Sequence, residues 1–154
     1  MQLARPWQKF AVLLRVRERQ ERLKAQALAA ARGDVGRAVA KRDALAEEQQ
    51  RVLGEAGEAA RHLVDAAKVQ AFIHYERHIA RLAVDTDAEI HALQSVAEKR
   101  RGELEDAMKR RKVVQRLSER ARLAYRDFVL REEQKLLDET ASVQSALQRM
   151  ADRP

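Results

Sequence analysis

His74 and His78 stand four residues apart, a spacing that puts two imidazoles on one helical face as paired metal ligands, and His62 and His91 lie nearby in sequence. No third ligand follows at a suitable spacing and H-E-x-x-H is absent, so the histidines read as helix residues rather than a metal centre. Carboxylates are abundant, but general acid–base chemistry needs a concave, water-poor pocket to shift a pKa and orient a substrate. There is no G-x-x-x-x-G-K-[ST], so any ATP would be hydrolysed by a partner. No catalysis, cofactor or metal is expected. The residues that call for explanation lie in RLAYRDFVLREEQKLLDETA, 122–141, where Leu123, Leu130 and Leu137 recur at every seventh position among charges.

The elements that position these leucines follow from composition. With 36% charged and 4% aromatic residues in 154, the chain has little with which to fill a globular core, and its dominant residues are strong helix formers. Disorder is the competing reading of such polarity, but 45% hydrophobic residues at helical spacing leave something to bury. The absence of cysteine excludes a disulfide framework and a thiolate metal site and fits a reducing, cytoplasmic setting. The start, MQLARPWQKFAVLLRVRERQ, lacks the apolar run and small-residue cleavage site of a secretory signal, and no stretch approaches the ~20 apolar residues that span a bilayer. A net charge of +7 permits acidic partners. The basic residues read as spread through both halves and interleaved with acids, with only KRRGELEDAMKRRK, 99–112, locally dense; no nucleic-acid motif accompanies it.

Helix one is expected over about 6–57, starting at Pro6 and carrying Phe10, Leu13, Leu14, Leu23 and Leu28, then Val35, Val39, Leu45, Val52 and Leu53. Gly33 and Gly36 predict a local bend, Gly54 and Gly57 a C-cap, and Asp65 an N-cap, which places the turn at about 57–66. Helix two is expected over about 66–150, with fraying in 142–154. Its seven-residue row is Phe72, Ile79, Thr86, Leu93, Arg100, Ala107, Val114, Ala121 and Phe128. The flanking seam residues are Tyr75 and Leu82, then Ile90, Ala97 and Leu104, then Leu117, Ala124 and Tyr125, a one-residue slip in the middle.

The fold class is therefore all-α, a single long two-helix antiparallel coiled-coil hairpin. Counting lengths, the first helix begins opposite about residue 115 and the last third of helix two overhangs. The leucine row sits roughly half a turn from the seam, so the overhang is apolar on two sides, as in a helix buried inside a partner. Two other readings stay open: the N-terminus of helix one folds over the leucines, or they serve helix propensity alone.

RRKVVQRLSERARLAYRDFVLREEQKLLDETA, 110–141, resembles the C-terminal pattern of the flagellar type III export component FliJ, a central-stalk family that includes the injectisome stalk proteins. HYERHIARL, 74–82, is similar to that family's Y-x-x-[aromatic]-I-x-x-L. The resemblance implies a hairpin like the coiled coil of the rotary ATP synthase gamma subunit. It further implies a stalk in the hexameric export ATPase that promotes ring assembly and activity, meets the cytoplasmic domain of the export gate, and takes part in export-chaperone cycling. The location implied is cytoplasmic and peripheral, at the inner membrane under the flagellum.

By the same resemblance the ATPase-contact candidates are Phe10, Leu13, Leu14, Arg17 and Glu21 with Leu123, Phe128, Leu130, Arg131, Glu133, Gln134, Leu137, Asp138 and Glu139. The gate-contact candidates are Tyr75, His78, Leu82, Asp85 and Glu89; His78 stands where the family has an aromatic, and Asp85 and Glu89 bring carboxylates. Tyr75 and Leu82 read equally as seam residues. Trp7 and Phe10 with Val12, Leu13 and Leu14 also read as a short interfacial helix, though docking on a partner is the stronger reading. The free hairpin is expected to be monomeric, with no nucleic acid bound. The alternatives are an injectisome stalk and a self-associating scaffold whose leucine row makes a homodimer.

Overall fold

The computed structural model describes residues 7–62 and 66–151. Two helices account for nearly all of them: α1, Gln8–Arg61, of 54 residues, and α2, Ala66–Ala151, of 86. The all-α hairpin holds. Neither helix contains proline, and acid–base pairs three or four residues apart, such as Arg51 with Glu48 and Glu55, support the exposed faces. Gly54 and Gly57, expected at a C-cap, lie inside α1, which continues through Arg61. Pro6 and Asp65, expected at helix starts, lie outside the described residues. Residues 142–151, expected to fray, continue α2, where Ser142 Oγ donates to Asp138 O at 2.7 Å and no glycine or proline intervenes.

By packing the chain divides into two compact units, Arg22–Asp106 and Met1–Glu21 with Ala107–Pro154. In the first, cross-helix pairs set an antiparallel register: Lys24 with Glu103 at 2.7 Å, Arg42 with Asp87 at 2.8 Å, Gln49 with Glu76 at 2.7 Å. The inward row of α1 is Leu28, Ala31, Val35, Ala38, Arg42, Leu45, Gln49 and Val52, alternating steps of three and four. Its counterpart in α2 is Phe72, Glu76, Ile79, Ala83, Thr86, Ile90, Leu93, Ala97, Arg100 and Leu104. Val52, Ile79 and Thr86 are the deepest, each 2% exposed. Thr86 is buried with its hydroxyl on Leu82 O at 2.7 Å, so no polar atom there goes unpaired.

The expected slip in register does not occur. Tyr75 and Leu82 are exposed, and Glu76 and Ala83 take their places one position later. Glu76 and Asp87 reach across to α1 from the later side of the stripe, and turning α2 to bury Leu82 would break those pairs. Small residues at Ala31, Ala38, Ala83 and Thr86 keep the buried strip thin and close.

In the second unit Glu21 pairs with Arg111 at 2.5 Å, and Trp7 meets the ring of Tyr125, two heptads further along both helices. The α2 row here is Ala107, Arg111, Val114, Ser118, Ala121 and Tyr125, with Val129 and Glu132 following; Leu117, Ala124 and Phe128, expected at the seam, are exposed. The first helix therefore starts opposite Tyr125 rather than residue 115.

Candidate functional site

The candidate contact surface forms where α1 begins. Phe10 and Leu14 are half-buried and Leu13 is exposed. Arg17 donates from Nη1 to Gln20 Oε1 at 2.9 Å, while its Nε is buried without an acceptor among the described residues. Glu21 is held by Arg111. Across from these, Trp7 and Tyr125 meet edge to face with centroids 4.8 Å apart, and an open groove beside them is lined by Glu119, Arg122, Leu123, Arg126 and Val129.

Beyond Glu132 every described residue of α2 except Ser145 is exposed. Leu123, Leu130 and Leu137 are 52, 55 and 63% exposed. Each stands five residues after a member of the seam-facing row (Ser118, Tyr125, Glu132), about 140° around the helix from it. They belong to a different face from the seam, as their spacing required. Phe128, Arg131, Glu133, Gln134, Asp138 and Glu139 are exposed as well, with Gln134 Nε2 donating to Asp138 Oδ1 at 3.0 Å.

A second apolar stripe was not singled out from the sequence. Val129, Leu136, Val143, Leu147 and Met150 lie along the same face as Ser118, Ala121 and Tyr125, and all but Val129 are exposed. The seven-residue recurrence of Val129, Leu136, Val143 and Met150 was its signal. α2 is thus apolar along two faces where nothing in α1 covers it among the described residues.

Basic residues run through both halves, as read from the sequence, but net charge is distributed unequally between the two units. The unit of Met1–Glu21 and Ala107–Pro154 holds 17 Lys and Arg against nine Asp and Glu, the other unit 14 against 15. Most of the excess sits in residues 107–126, with eight bases and one acid, Glu119. The stretch 99–112 straddles two regimes: Arg100 and Arg101 are paired with Glu103 and with Glu98 and Glu105, whereas Arg110, Lys112, Arg116, Arg120, Arg122 and Arg126 have no ion pair among the described residues.

The other candidate surface belongs to the Arg22–Asp106 unit. Tyr75, His78, Leu82, Asp85 and Glu89 are all exposed and, at alternating spacings of three and four, share one face of α2. The seam reading of Tyr75 and Leu82 is overturned. Tyr75 Oη donates to Glu48 Oε1 at 3.2 Å; the Arg51 guanidinium, with help from this bond, holds the Glu48 carboxyl below its ordinary range. Lys41 lies 3.5 Å from Glu89. His74 and His78 are exposed, and among the described residues no three His, Asp or Glu are grouped to hold a metal. No helix among them is long and apolar enough to cross a membrane.

A family model described as flagellar FliJ protein matches residues 7–150. No curated protein and no solved structure matches the chain.

Proposed function

Because the chain belongs to the flagellar FliJ protein family, we propose that it is a non-enzymatic stalk of the flagellar type III export apparatus whose end, where α1 begins, inserts into a hexameric export ATPase. One observation carries this reading. A helix apolar along two faces is suited to a site that surrounds it, and α2 is exposed on both the leucine row and the Val129 stripe. Arg110, Lys112, Arg116, Arg120, Arg122 and Arg126, without an ion pair among the described residues, favour acidic groups in that surrounding wall.

Insertion would promote ring assembly and activity. A two-helix hairpin in a sixfold ring meets successive subunits unequally, and unequal contacts bias their conformations. Phe10, Leu13, Leu14, Arg17 and Glu21 would make the α1 side of that contact, and Leu123, Phe128, Leu130, Arg131, Glu133, Gln134, Leu137, Asp138 and Glu139 the α2 side. The stripe of Tyr75, His78, Leu82, Asp85 and Glu89 is the proposed surface for the cytoplasmic domain of the export gate, at the membrane under the flagellum, with chaperone cycling as a further role.

The test is ATP turnover by the cognate export ATPase, with the chain titrated in while ring assembly is followed. Stimulation is expected, and a variant with Leu123, Leu130 and Leu137 changed to Ser should lose it while remaining helical. Equal stimulation by the triple variant would remove the leucine row from the contact, and none by the unaltered chain would overturn the reading.

A further inference from the structure

We infer that the leucine row is also a self-association surface, along which two copies of the chain pair antiparallel about a twofold axis at Leu130. The row is bare, and its three leucines are symmetric about its middle: Leu123 meets Leu137 of the partner subunit, and Leu130 meets Leu130 of the partner subunit. The flanks match in charge. On one side Arg126 comes opposite Glu133 of the partner subunit. On the other, Arg120 comes opposite Asp138 of the partner subunit and Asp127 opposite Arg131 of the partner subunit. The axis makes each of these pairs twice. Within the chain, Arg120, Arg126, Asp127, Arg131 and Glu133 have no ion pair among the described residues, and the Asp138 carboxylate accepts only a bond from Gln134.

The alternatives fit worse. Parallel pairing would lay the basic stretch 107–126 beside its own copy, whereas antiparallel pairing sets it beside 134–151, where two bases balance two acids. Antiparallel pairing through the Val129, Leu136 and Val143 stripe would bring Glu132 opposite Glu139 of the partner subunit, like charge against like, on both sides of the axis. Three leucines per copy make a narrow strip, so the pair is weak, concentration-dependent and sensitive to salt. It replaces the monomeric free hairpin expected from the sequence. It would cover the leucines that the stalk reading assigns to the ATPase, yet it is argued from α2 alone and does not rest on that reading.

The chain has no cysteine, so single cysteines report the pairing directly. Under mild oxidation at low salt, Leu130→Cys should cross-link at the axis. Leu137→Cys alone should do so at least about ten-fold more slowly, since its two copies lie ~20 Å apart along the helices. An equimolar mixture of Leu123→Cys and Leu137→Cys should form the mixed product. In sedimentation equilibrium, Arg126→Glu should weaken dimerisation about ten-fold, the two symmetric contacts adding up to ~1.4 kcal/mol, and Arg126→Glu with Glu133→Arg should restore it. Circular dichroism confirms that each variant is helical. A chain monomeric at every concentration with no Leu130→Cys product, cross-linking of Leu137→Cys as fast as Leu130→Cys, or failure of the double variant to rescue would each overturn the inference. None of these measurements contains an ATPase, so loss of stimulation in the stalk test leaves this result standing, and the reverse.

Discussion

Trp7 and Tyr125 meet edge to face, with ring centroids 4.8 Å apart and planes at 73°. The contact fixes the start of α1 against α2, seven residues before the cover on α2 ends at Glu132. Beside it the Phe10 and Ala11 amides both donate to Trp7 O at 3.1 Å, so the same residue closes the first turn of α1.

Trp7→Ala should therefore loosen one end selectively. An aromatic pair contributes about 0.5–1.5 kcal/mol beyond its buried area. Hydrogen exchange followed by mass spectrometry should show faster exchange in residues 8–17 and no change around Val52 and Ile79. Uniform protection would mean that the ring contact does not hold α1.

The register of α2 makes opposite claims for neighbouring residues. Ile79→Ala should cost about 2–4 kcal/mol in urea unfolding, because the side chain is 2% exposed and leaves a cavity. Leu82→Ala should cost under ~1 kcal/mol. Ala83→Leu should cost about 1–3 kcal/mol by overpacking the thin seam. A larger loss at Leu82 than at Ile79 would restore the slipped register.

Gly54 and Gly57 serve no turn. Both are helical, and a Cβ added at either meets nothing within 4 Å. Gly54→Ala and Gly57→Ala should each stabilise by about 0.5–1 kcal/mol, raising the thermal midpoint followed at 222 nm by circular dichroism. A lower midpoint would show that a bend there is needed.

Glu103 supplies a dependence on pH. Lys24 Nζ at 2.7 Å, then Arg100 Nη1 at 3.1 Å, hold its carboxyl below the ordinary carboxylate range. A depressed carboxylate contributes stability above its unfolded pKa and loses that contribution as pH falls through the lower folded value. Glu103→Gln should melt below the unaltered chain at pH 7, and the gap should close in acid. A gap that persists below pH 2 would separate its cause from the charge.

Much of the hairpin was legible in the sequence. Phe72, Ile79, Thr86, Leu93, Arg100, Ala107, Val114 and Ala121 recur every seven residues, and all are buried or half-buried in the row that α2 turns inward. The leucine row was equally plain, because spacing along one helix alone sets which side chains share a face. Its assignment off the seam needed no partner. The sequence marked only 99–112 as dense in bases; the excess of 107–126 appears once that stretch is grouped with residues 1–21 and separated from the balanced unit.

The sequence alone determined two long helices, an antiparallel hairpin and an outward leucine row, since helix propensity and seven-residue recurrence are local properties. Tertiary structure decided the rotation of α2 and the point where cover stops. Leu82 and Ala83 lie one step, about 100°, apart on the helix, and a periodic stripe tolerates either at its edge. The choice rests on Arg42 reaching Asp87, Gln49 reaching Glu76 and Trp7 reaching Tyr125, pairs far apart in sequence and visible only when the helices are laid together.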